Sequence, residues 1–202
     1  GSLYIRNILI TGAGSGIGAG LAMHLAESGH RIVVTDLDGA AAALVAHGIE
    51  AAGGRSCASA LDVADAGAVA ALFADPITGP VEGVINNAGL QHVARLEEFD
   101  PARWQQLVNV MLVGAANMMR AALPGMRGRG HGRIVNIGSI HSLVASPYKS
   151  AYIAAKHGLI GLSKTVALEN GDVDITVNTI CPAYVRTPLV EQQIARQAAE
   201  HG

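Results

Sequence analysis

The chain has 202 residues and a formal net charge of −2 at neutral pH, and its composition is 50% hydrophobic and 15% charged. This length suits one large α/β domain, and the apolar, weakly charged composition excludes a disordered chain. There is no basic excess of the kind that neutralises nucleic-acid phosphates, and the densest basic stretch, residues 127–133, is interpreted as a solvated loop. Because no run of about 18 apolar residues is present, no membrane span is expected.

The first residues and the cysteines bear on where the protein works. Gly1-Ser2 runs directly into a strand-like segment, so no secretory signal is expected. Two cysteines, Cys57 and Cys181, are too few for a disulfide framework and lack the paired spacing of metal ligands. We therefore expect reduced thiols in a cytoplasmic protein, with no metal site.

Apolar, β-rich runs alternate with helical patterns along the whole chain. The predicted strands cover residues 4–10, 31–35, 55–61, 81–85, 133–137 and 175–180. The predicted helices cover residues 17–28, 40–52, 65–74, 101–126 and 150–169, and Pro124 is expected to shorten the fourth. This alternation indicates βαβ units, and continuous apolar strands indicate a parallel sheet covered on both faces. One α/β domain over residues 1–202 is the expected organisation.

A glycine cluster, TGAGSGIG at residues 11–18, lies where the first strand ends and a helix begins. Glycines at this point let backbone N–H groups approach a pyrophosphate at the positive end of a helix dipole. A side chain at Gly12 or Gly16 would block that approach. A glycine-rich turn without a ligand is the alternative interpretation.

An acidic residue in the right place adds weight to a dinucleotide site. Asp36 ends the second predicted strand, 18 residues after Gly18, where a carboxylate can bind the two hydroxyls of an adenosine ribose. The same carboxylate would repel a 2′-phosphate, so the sequence predicts NAD rather than NADP. Alternatively, Asp36 or Asp38 caps the helix that follows.

Three motifs in order resemble the short-chain dehydrogenase/reductase family. They are Thr11-Gly-x-x-x-Gly-x-Gly18, Asn86-Asn87-Ala88-Gly89, and Ser139 followed by Tyr152-x-x-x-Lys156. The resemblance covers residues 4–194 and implies a Rossmann-type doubly wound parallel sheet that binds NAD. Members of the family are usually longer, so we expect the chain to lack the last helix and strand, with residues 184–202 beginning a substrate lid.

The spacing of the third motif is explained by the chemistry of a dehydrogenase. Tyr152 and Lys156 are four residues apart on a predicted helix and share one face, and an ammonium beside a phenol favours the phenolate. Tyr152 can then take the hydroxyl proton while hydride leaves for the nicotinamide, and the Ser139 hydroxyl can hold the substrate oxygen. Asn109 matches the family's fourth catalytic residue, which supports a proton relay; a solvated helix position is the alternative.

The resemblance also implies a set of cofactor contacts. Asp62 and Val63 match a pair that meets the adenine ring, and the segment around Pro182 matches one that holds the nicotinamide carboxamide. The expected cofactor-binding residues are Gly12, Ser15, Gly16, Ile17, Gly18, Asp36, Asp62, Val63, Asn86, Ala88, Gly89, Tyr152, Lys156, Pro182, Val185 and Thr187.

Four further positions resemble one subgroup of the family, the D-3-hydroxybutyrate dehydrogenases. Beside Ser139 and Tyr152, the residues that match those holding the substrate carboxylate are Gln91, His141, Lys149 and Gln193. A short hydroxy acid needs donors and a cation, because an unpaired buried carboxylate is costly. Taken singly, each of the four could be an ordinary loop or surface residue.

The expected function is therefore NAD-dependent interconversion of D-3-hydroxybutyrate and acetoacetate, and the resemblance implies a homotetramer. The charge balance and the short apolar runs predict no nucleic-acid or membrane partner. A short-chain dehydrogenase for another secondary alcohol, such as a sugar, a steroid or a different hydroxy acid, is the main alternative. A non-catalytic NAD-binding Rossmann protein is the second alternative, although such proteins usually lose the tyrosine or the lysine.

Overall fold

A six-stranded parallel sheet is the centre of the computed structural model, which describes residues 4–182. Its strands are β1 Asn7–Ile10, β2 Arg31–Asp36, β3 Arg55–Ala60, β4 Gly83–Asn86, β5 His131–Ile137 and β6 Asp174–Ile180. They lie in the order β3-β2-β1-β4-β5-β6, with every neighbouring pair parallel. The predicted doubly wound α/β sheet is confirmed, and the strand order reverses between β1 and β4, where such sheets bind ligands.

Helices cover both faces of the sheet. They are α1 Gly16–Glu27, α2 Gly39–Ala51, α3 Ala66–Ala74, α4 Pro101–Val108, α5 Gly114–Arg129 and α6 Ser150–Glu169. A π-helical turn, Asn109–Val113, joins α4 to α5, and short 3₁₀ turns cover Leu96–Glu98 and Ile140–Ser142. Because strand side chains alternate between faces, Ile8 and Ile10 pack with α1 and α2, whereas Leu9 packs with α3, α5 and α6.

The fourth predicted helix differs from its prediction. Pro124 does not shorten it, because α5 continues to Arg129. Pro124 and Arg120, whose carbonyl loses its helical donor, are both exposed, so water can satisfy that carbonyl. The helix ends where Gly130 adopts a φ of 73°, a left-handed conformation that favours glycine.

The basic stretch at residues 127–133 is not the solvated loop that its glycines suggested. It forms the last turn of α5 and the start of β5. Arg127 pairs with Asp172 at 2.8 Å. A Cβ on Gly132 would collide with the sulfur of Met126, so glycine lets α5 pack closely on the sheet.

The continuous helical run Pro101–Arg129 is long and apolar enough to cross a membrane by length and composition, with a mean hydropathy of 1.3 over its best window. Within this structure, however, 44% of that window is buried inside the domain. Its apolar residues, among them Leu107, Met118 and Met119, belong to the hydrophobic core. Core packing therefore accounts for the apolar character of this helix.

Candidate active site

The glycine-rich loop after β1 is fastened to the loop after β4. The Thr11 hydroxyl accepts the N–H groups of Asn87 at 3.0 Å and Ala88 at 3.1 Å, and Asn87 Nδ2 donates to the Gly12 carbonyl at 3.1 Å. A Cβ on Gly12, whose φ is 61°, would lie 2.9 Å from Ala88 Cα. Glycine is thus required here both by conformation and by close approach. Thr11 and Asn87 stood in the motifs, but their loop-fastening role was not predicted.

The start of α1 presents backbone donors to solvent. Ser15, the N-cap, is extended and its side chain makes no capping hydrogen bond, so the first N–H groups of the helix have no side-chain partner. Gly16 has a φ of 55° with open space around its Cβ position, and Ile17 is exposed. A Cβ on Gly18 would collide with the Gly12 carbonyl. This helix terminus can accept an anion such as a phosphate.

A cleft of about 780 Å³ lies at the carboxyl ends of β1 to β4, a volume typical of small-molecule sites. It contains many of the predicted cofactor residues and the predicted catalytic asparagine: Gly12, Asp36, Asp62, Val63, Ala88, Gly89 and Asn109. Sequence reasoning missed its remaining walls, which include Leu37, Leu90, Gln105 and Gln106. No motif marks these residues, because α4 reaches the cleft only through the tertiary fold.

Asp36 is held at the edge of this cleft by backbone donors. Its Oδ2 accepts the Gly14 N–H at 2.9 Å, and its Oδ1 accepts the Asp38 N–H at 3.0 Å. The residue that caps α2 is Asp38, whose side chain accepts the Ala41 N–H at 3.1 Å. Both aspartates line the cleft, but Asp38 is the one that also caps α2.

Asn109 lies at the beginning of the π-helical turn. It is half-buried, and its Oδ1 accepts a hydrogen bond from Gln105 Nε2 at 3.0 Å. π-helical turns within α-helices are frequent at functional sites, and this one turns Asn109 toward the cleft that it lines. The position is neither fully solvated nor fully buried.

Ser139 is fixed just beyond the end of β5. Its hydroxyl accepts the His141 N–H at 3.2 Å, and the Ser142 hydroxyl accepts the Ser139 N–H at 3.1 Å. These reciprocal bonds form a capping box at the 3₁₀ turn Ile140–Ser142. The serine hydroxyl is consequently held in one place at the edge of the sheet.

His141 lies between that serine and the predicted catalytic tyrosine. Its Nδ1 is 3.4 Å from Ser139 Oγ, its Nε2 is 2.8 Å from Ser146 Oγ, and its ring meets the Tyr152 ring edge-on with centroids 5.9 Å apart. Burial, and secondly the Lys149 charge, lowers the pKa of His141, so the imidazole is neutral at pH 7. Ser146, which sequence reasoning missed, fixes the orientation of the ring.

Tyr152 and Lys156 share the inward face of α6, as their spacing predicts. The buried Lys156 donates from Nζ to the Ile137 carbonyl at 2.8 Å, and Nζ lies 5.5 Å from the Tyr152 ring centroid. Burial lowers the pKa of Lys156 to about 8, although the nearby Cys181 acts in the opposite direction. Because this pKa is only a little above 7, the Lys156 amine is mostly, but not completely, protonated at pH 7.

The predicted substrate residues come from two loops that the backbone joins. Ala94 N–H, in the loop that begins with the exposed Gln91, donates to the Tyr148 carbonyl at 2.9 Å. Tyr148 has a φ of 67°, and Lys149 directly after it is the N-cap of α6, with no capping side-chain bond. Lys149 therefore stands three residues before Tyr152 at the start of α6, and its charge is a secondary cause, after burial, of the lowered pKa of His141.

Not every predicted residue lies in the open cleft. Asn86 is buried beneath it and donates from Nδ2 to Asn136 Oδ1 at 2.8 Å, which joins β4 to β5. Pro182 follows β6, and its carbonyl accepts the Ile140 N–H at 3.0 Å. The predicted residues Val185, Thr187 and Gln193, and the expected lid at 184–202, lie outside the described residues.

A doubly wound sheet with these side chains at the carboxyl ends of its strands is the framework of a dinucleotide-dependent oxidoreductase. Comparison with known families is more specific. The model of the short chain dehydrogenase family matches residues 6–198, and the chain belongs to that family.

The relatives found by comparison include enzymes of one substrate class. The D-beta-hydroxybutyrate dehydrogenase of Cupriavidus necator is 41% identical over 98% of this chain and 77% of its own length. The enzyme of the same name from Rhizobium meliloti is 43% identical over 98% of this chain and 78% of its own length. The chain therefore spans about three quarters of the length of these two relatives.

A solved structure resembles this fold closely. It is a gluconate 5-dehydrogenase from Burkholderia cenocepacia in complex with NADP and tartrate, and the comparison gives a TM-score of 0.88 and 35% identity. The match covers 94% of this chain and 75% of that protein. The family thus uses a nicotinamide dinucleotide, and its members differ in substrate.

Proposed function

We propose that this protein is an NAD-dependent dehydrogenase that interconverts D-3-hydroxybutyrate and acetoacetate. The observation that carries the proposal is the cluster of Ser139, His141 and Tyr152, which His141 joins by its contacts to the other two. Lys149 stands beside this cluster in sequence, three residues before Tyr152 at the start of α6. A cation next to a proton-transfer site suits a substrate with a carboxylate near its hydroxyl. The names of two relatives, each more than 40% identical, support the same substrate.

The cofactor fits the open cleft. The cleft has room for a dinucleotide half, Asp36 faces it, and the uncapped start of α1 offers N–H groups suited to a pyrophosphate. When bound, the nicotinamide supplies the hydride acceptor. Gly12, Ser15, Gly16, Ile17 and Gly18 would hold the phosphates, and Asp36, Asp62 and Val63 the adenosine.

In the proposed reaction Tyr152 removes the proton from the substrate hydroxyl. Lys156 favours the phenolate by its charge, and the Ser139 hydroxyl holds the substrate oxygen where charge develops. Asn109 supports the proton path toward solvent. His141, which contacts both Ser139 and Tyr152, would line the substrate site beside them.

The local structure around Lys149 supports a role other than stability. A cation at a helix N-terminus opposes the helix dipole, and lysine is a poor N-cap. The preceding Tyr148 has a left-handed φ of 67°, which costs about 1–2 kcal/mol in a non-glycine residue. A strained backbone at Tyr148 followed by an unfavourable N-cap at Lys149 is expected where the two residues position a functional group. Gln91 and Gln193 would add neutral donors.

NAD is proposed over NADP because Asp36 would repel a 2′-phosphate. The structural relative holds NADP, so we base the choice of NAD on the local charge at Asp36 and not on family membership. As further parts of the proposal, the protein works in the cytoplasm as a homotetramer, and it takes a small hydroxy acid. The second candidate is a sugar-acid dehydrogenase, which the gluconate-oxidising relative favours.

The proposal is tested by supplying D-3-hydroxybutyrate and NAD and following NADH and acetoacetate together. We expect equal amounts of the two products, and we expect acetoacetate with NADH to run the reaction backwards. Gluconate and a neutral secondary alcohol serve as competing substrates. Faster turnover of gluconate would favour the second candidate, and binding of NAD without turnover of any alcohol would contradict catalysis.

A further inference from the structure

The buried amide of Asn86 has one end without a protein partner. Its Nδ2 donates to Asn136 Oδ1 at 2.8 Å, and Asn136 Nδ2 donates to Ser163 Oγ at 2.8 Å. Ser163 in turn donates to the Leu159 carbonyl at 2.6 Å. Among residues 4–182, no donor lies within hydrogen-bonding distance of Asn86 Oδ1.

The direction of this chain of hydrogen bonds fixes which amide atom is left over. Since the Ser163 proton is used by Leu159, Asn136 must present Nδ2 to Ser163 and Oδ1 to Asn86. Asn86 must then donate from Nδ2, which leaves its oxygen on the other side. An orphaned acceptor that is 93% buried costs about 1–3 kcal/mol unless something donates to it.

A small cavity lies beside Asn86. The volume open to the centre of a water molecule is about 10 Å³, which is close to the minimum that a cavity needs to hold one water. Asn86 and Lys156 both line it, together with Thr11, Ile137 and the small residue Ala115, whereas Asn136 does not. The oxygen is therefore the end of the Asn86 amide that faces the cavity.

We propose that this cavity binds a single ordered water that accepts a hydrogen bond from Lys156 Nζ and donates one to Asn86 Oδ1. Lys156 has three N–H groups, of which one is donated to the Ile137 carbonyl, so a donor is available. Asn86 is then a positioning residue: through the water it holds the ammonium beneath Tyr152. The water site stands on geometry alone, whereas its catalytic consequence rests on the proposed function of Lys156.

The surroundings of Lys156 make the water electrostatically important. The titratable groups that face it are Tyr152, on the same helix, and Cys181, after β6. The residues that β1, β4, β5 and the α4–α5 junction contribute to the cavity carry no charge. A water oxygen directed at the ammonium would stabilise the charged form, so displacing the water should lower the pKa of Lys156.

The first test is a high-resolution crystal structure of the unmodified protein. Density for one water within hydrogen-bonding distance of both Asn86 Oδ1 and Lys156 Nζ is the expected result. A cavity without density, or a water that contacts only one of the two atoms, would overturn the proposal. This readout needs no substrate, so it stands whether or not the enzyme oxidises D-3-hydroxybutyrate.

The second test follows the lysine itself. The sequence contains three lysines, Lys149, Lys156 and Lys164, so protein labelled with ¹³C at lysine Cε gives three resolvable titrations by NMR. Asn86→Leu removes the acceptor, and Ala115→Val fills the cavity while it leaves Asn86 in place. Each should lower the pKa of Lys156 by at least about half a unit, with Lys149 and Lys164 unchanged.

Asn117→Leu is the matched control, because Asn117 is equally buried but bonds to the Val63 carbonyl. It should leave the Lys156 titration unchanged. If Asn86→Leu does not fold, Ala115→Val decides the question. An unaltered Lys156 titration in Ala115→Val, or an equal shift in the Asn117 control, would contradict the bridging water.

Discussion

Lys156 Nζ lies 5.5 Å from the centroid of the Tyr152 ring, one helical turn away on α6, and donates to the Ile137 carbonyl at 2.8 Å. The lysine is thus held at the end of β5 and beneath the phenol at once. Burial lowers its pKa to about 8, so its charge is maintained at a cost in folding free energy. The charge is therefore held beside the phenol of Tyr152 at the expense of structural stability.

Replacing Tyr152 by Phe should abolish turnover and leave cofactor binding nearly intact. The phenol transfers the substrate proton, and general acid–base groups are worth about 10²- to 10⁴-fold in rate. We expect kcat to fall by at least about 100-fold, measured by NADH formation. A loss of NAD affinity of the same size, measured by calorimetry, would instead assign the ring a structural role.

Replacing Lys156 by Met should stabilise the fold near neutral pH. Because the folded-state pKa is lowered from 10.5 to about 8, the cost of burying the charge is fully present below pH 8 and is relieved as pH rises toward 10.5. The cost is about 3 kcal/mol, less about 1 kcal/mol for the lost bond to Ile137. Urea denaturation should therefore show Lys156→Met more stable near pH 7.

The gain should disappear once the pH passes 10.5, because the lysine is then mostly neutral in both the folded and the unfolded state. Lys164→Met, at an exposed position of the same helix, provides the control and should change stability little at any pH. A Lys156→Met protein that is less stable than its parent near pH 7 would show that the ammonium is not under strain. This variant should also lose turnover.

Replacing Asp36 by Ala should weaken NAD binding and narrow its advantage over NADP. Hydrogen bonds to a charged group are worth about 1.5–3 kcal/mol each, so the loss should be about 10- to 100-fold. Asp65→Ala is the matched control, since Asp65 caps α3 outside the cleft: its loss should cost about 1 kcal/mol of stability without changing cofactor preference. A parent protein that already prefers NADP would refute this role of Asp36.

Replacing Lys149 by Ala should lower kcat/KM for 3-hydroxybutyrate by about 10²- to 10³-fold, because the substrate carboxylate loses its cation. NAD affinity should stay unchanged. The unfolding free energy should not fall, since removing a cation from a helix N-terminus is favourable by about 0.3–1 kcal/mol. An equal loss of activity on a neutral alcohol would make the residue structural.

Much of the fold followed from sequence because apolar runs and glycine positions are local signals. The parallel sheet, the alternation of strands and helices, and the motif loops that follow the strands agree with prediction. The prediction that Pro124 shortens its helix was wrong, because the cost of a helical proline depends on whether the freed carbonyl reaches water. The prediction of a solvated loop at residues 127–133 was wrong, because Gly132 is required by the close packing of Met126. No local sequence pattern reveals that contact.

The candidate site shows the same division. The spacing of Tyr152 and Lys156 was sufficient to place them together, since helix geometry fixes that relation. The partners that hold the site, such as Ser146 for His141 and Asn136 for Asn86, come from distant segments or from loop conformation. Isolated serines and asparagines carry no motif, so only the folded structure identifies them.

The most direct measurement compares NADH formation from D-3-hydroxybutyrate and from its L enantiomer. With the carboxylate bound near Lys149 and the hydroxyl between Ser139 and Tyr152, only one enantiomer can direct its hydride at the nicotinamide. The proposal predicts kcat/KM with NAD at least about 100-fold higher for the D form, as expected when one transition-state contact set is lost. Equal rates for the two enantiomers, or no NADH from either, would contradict it.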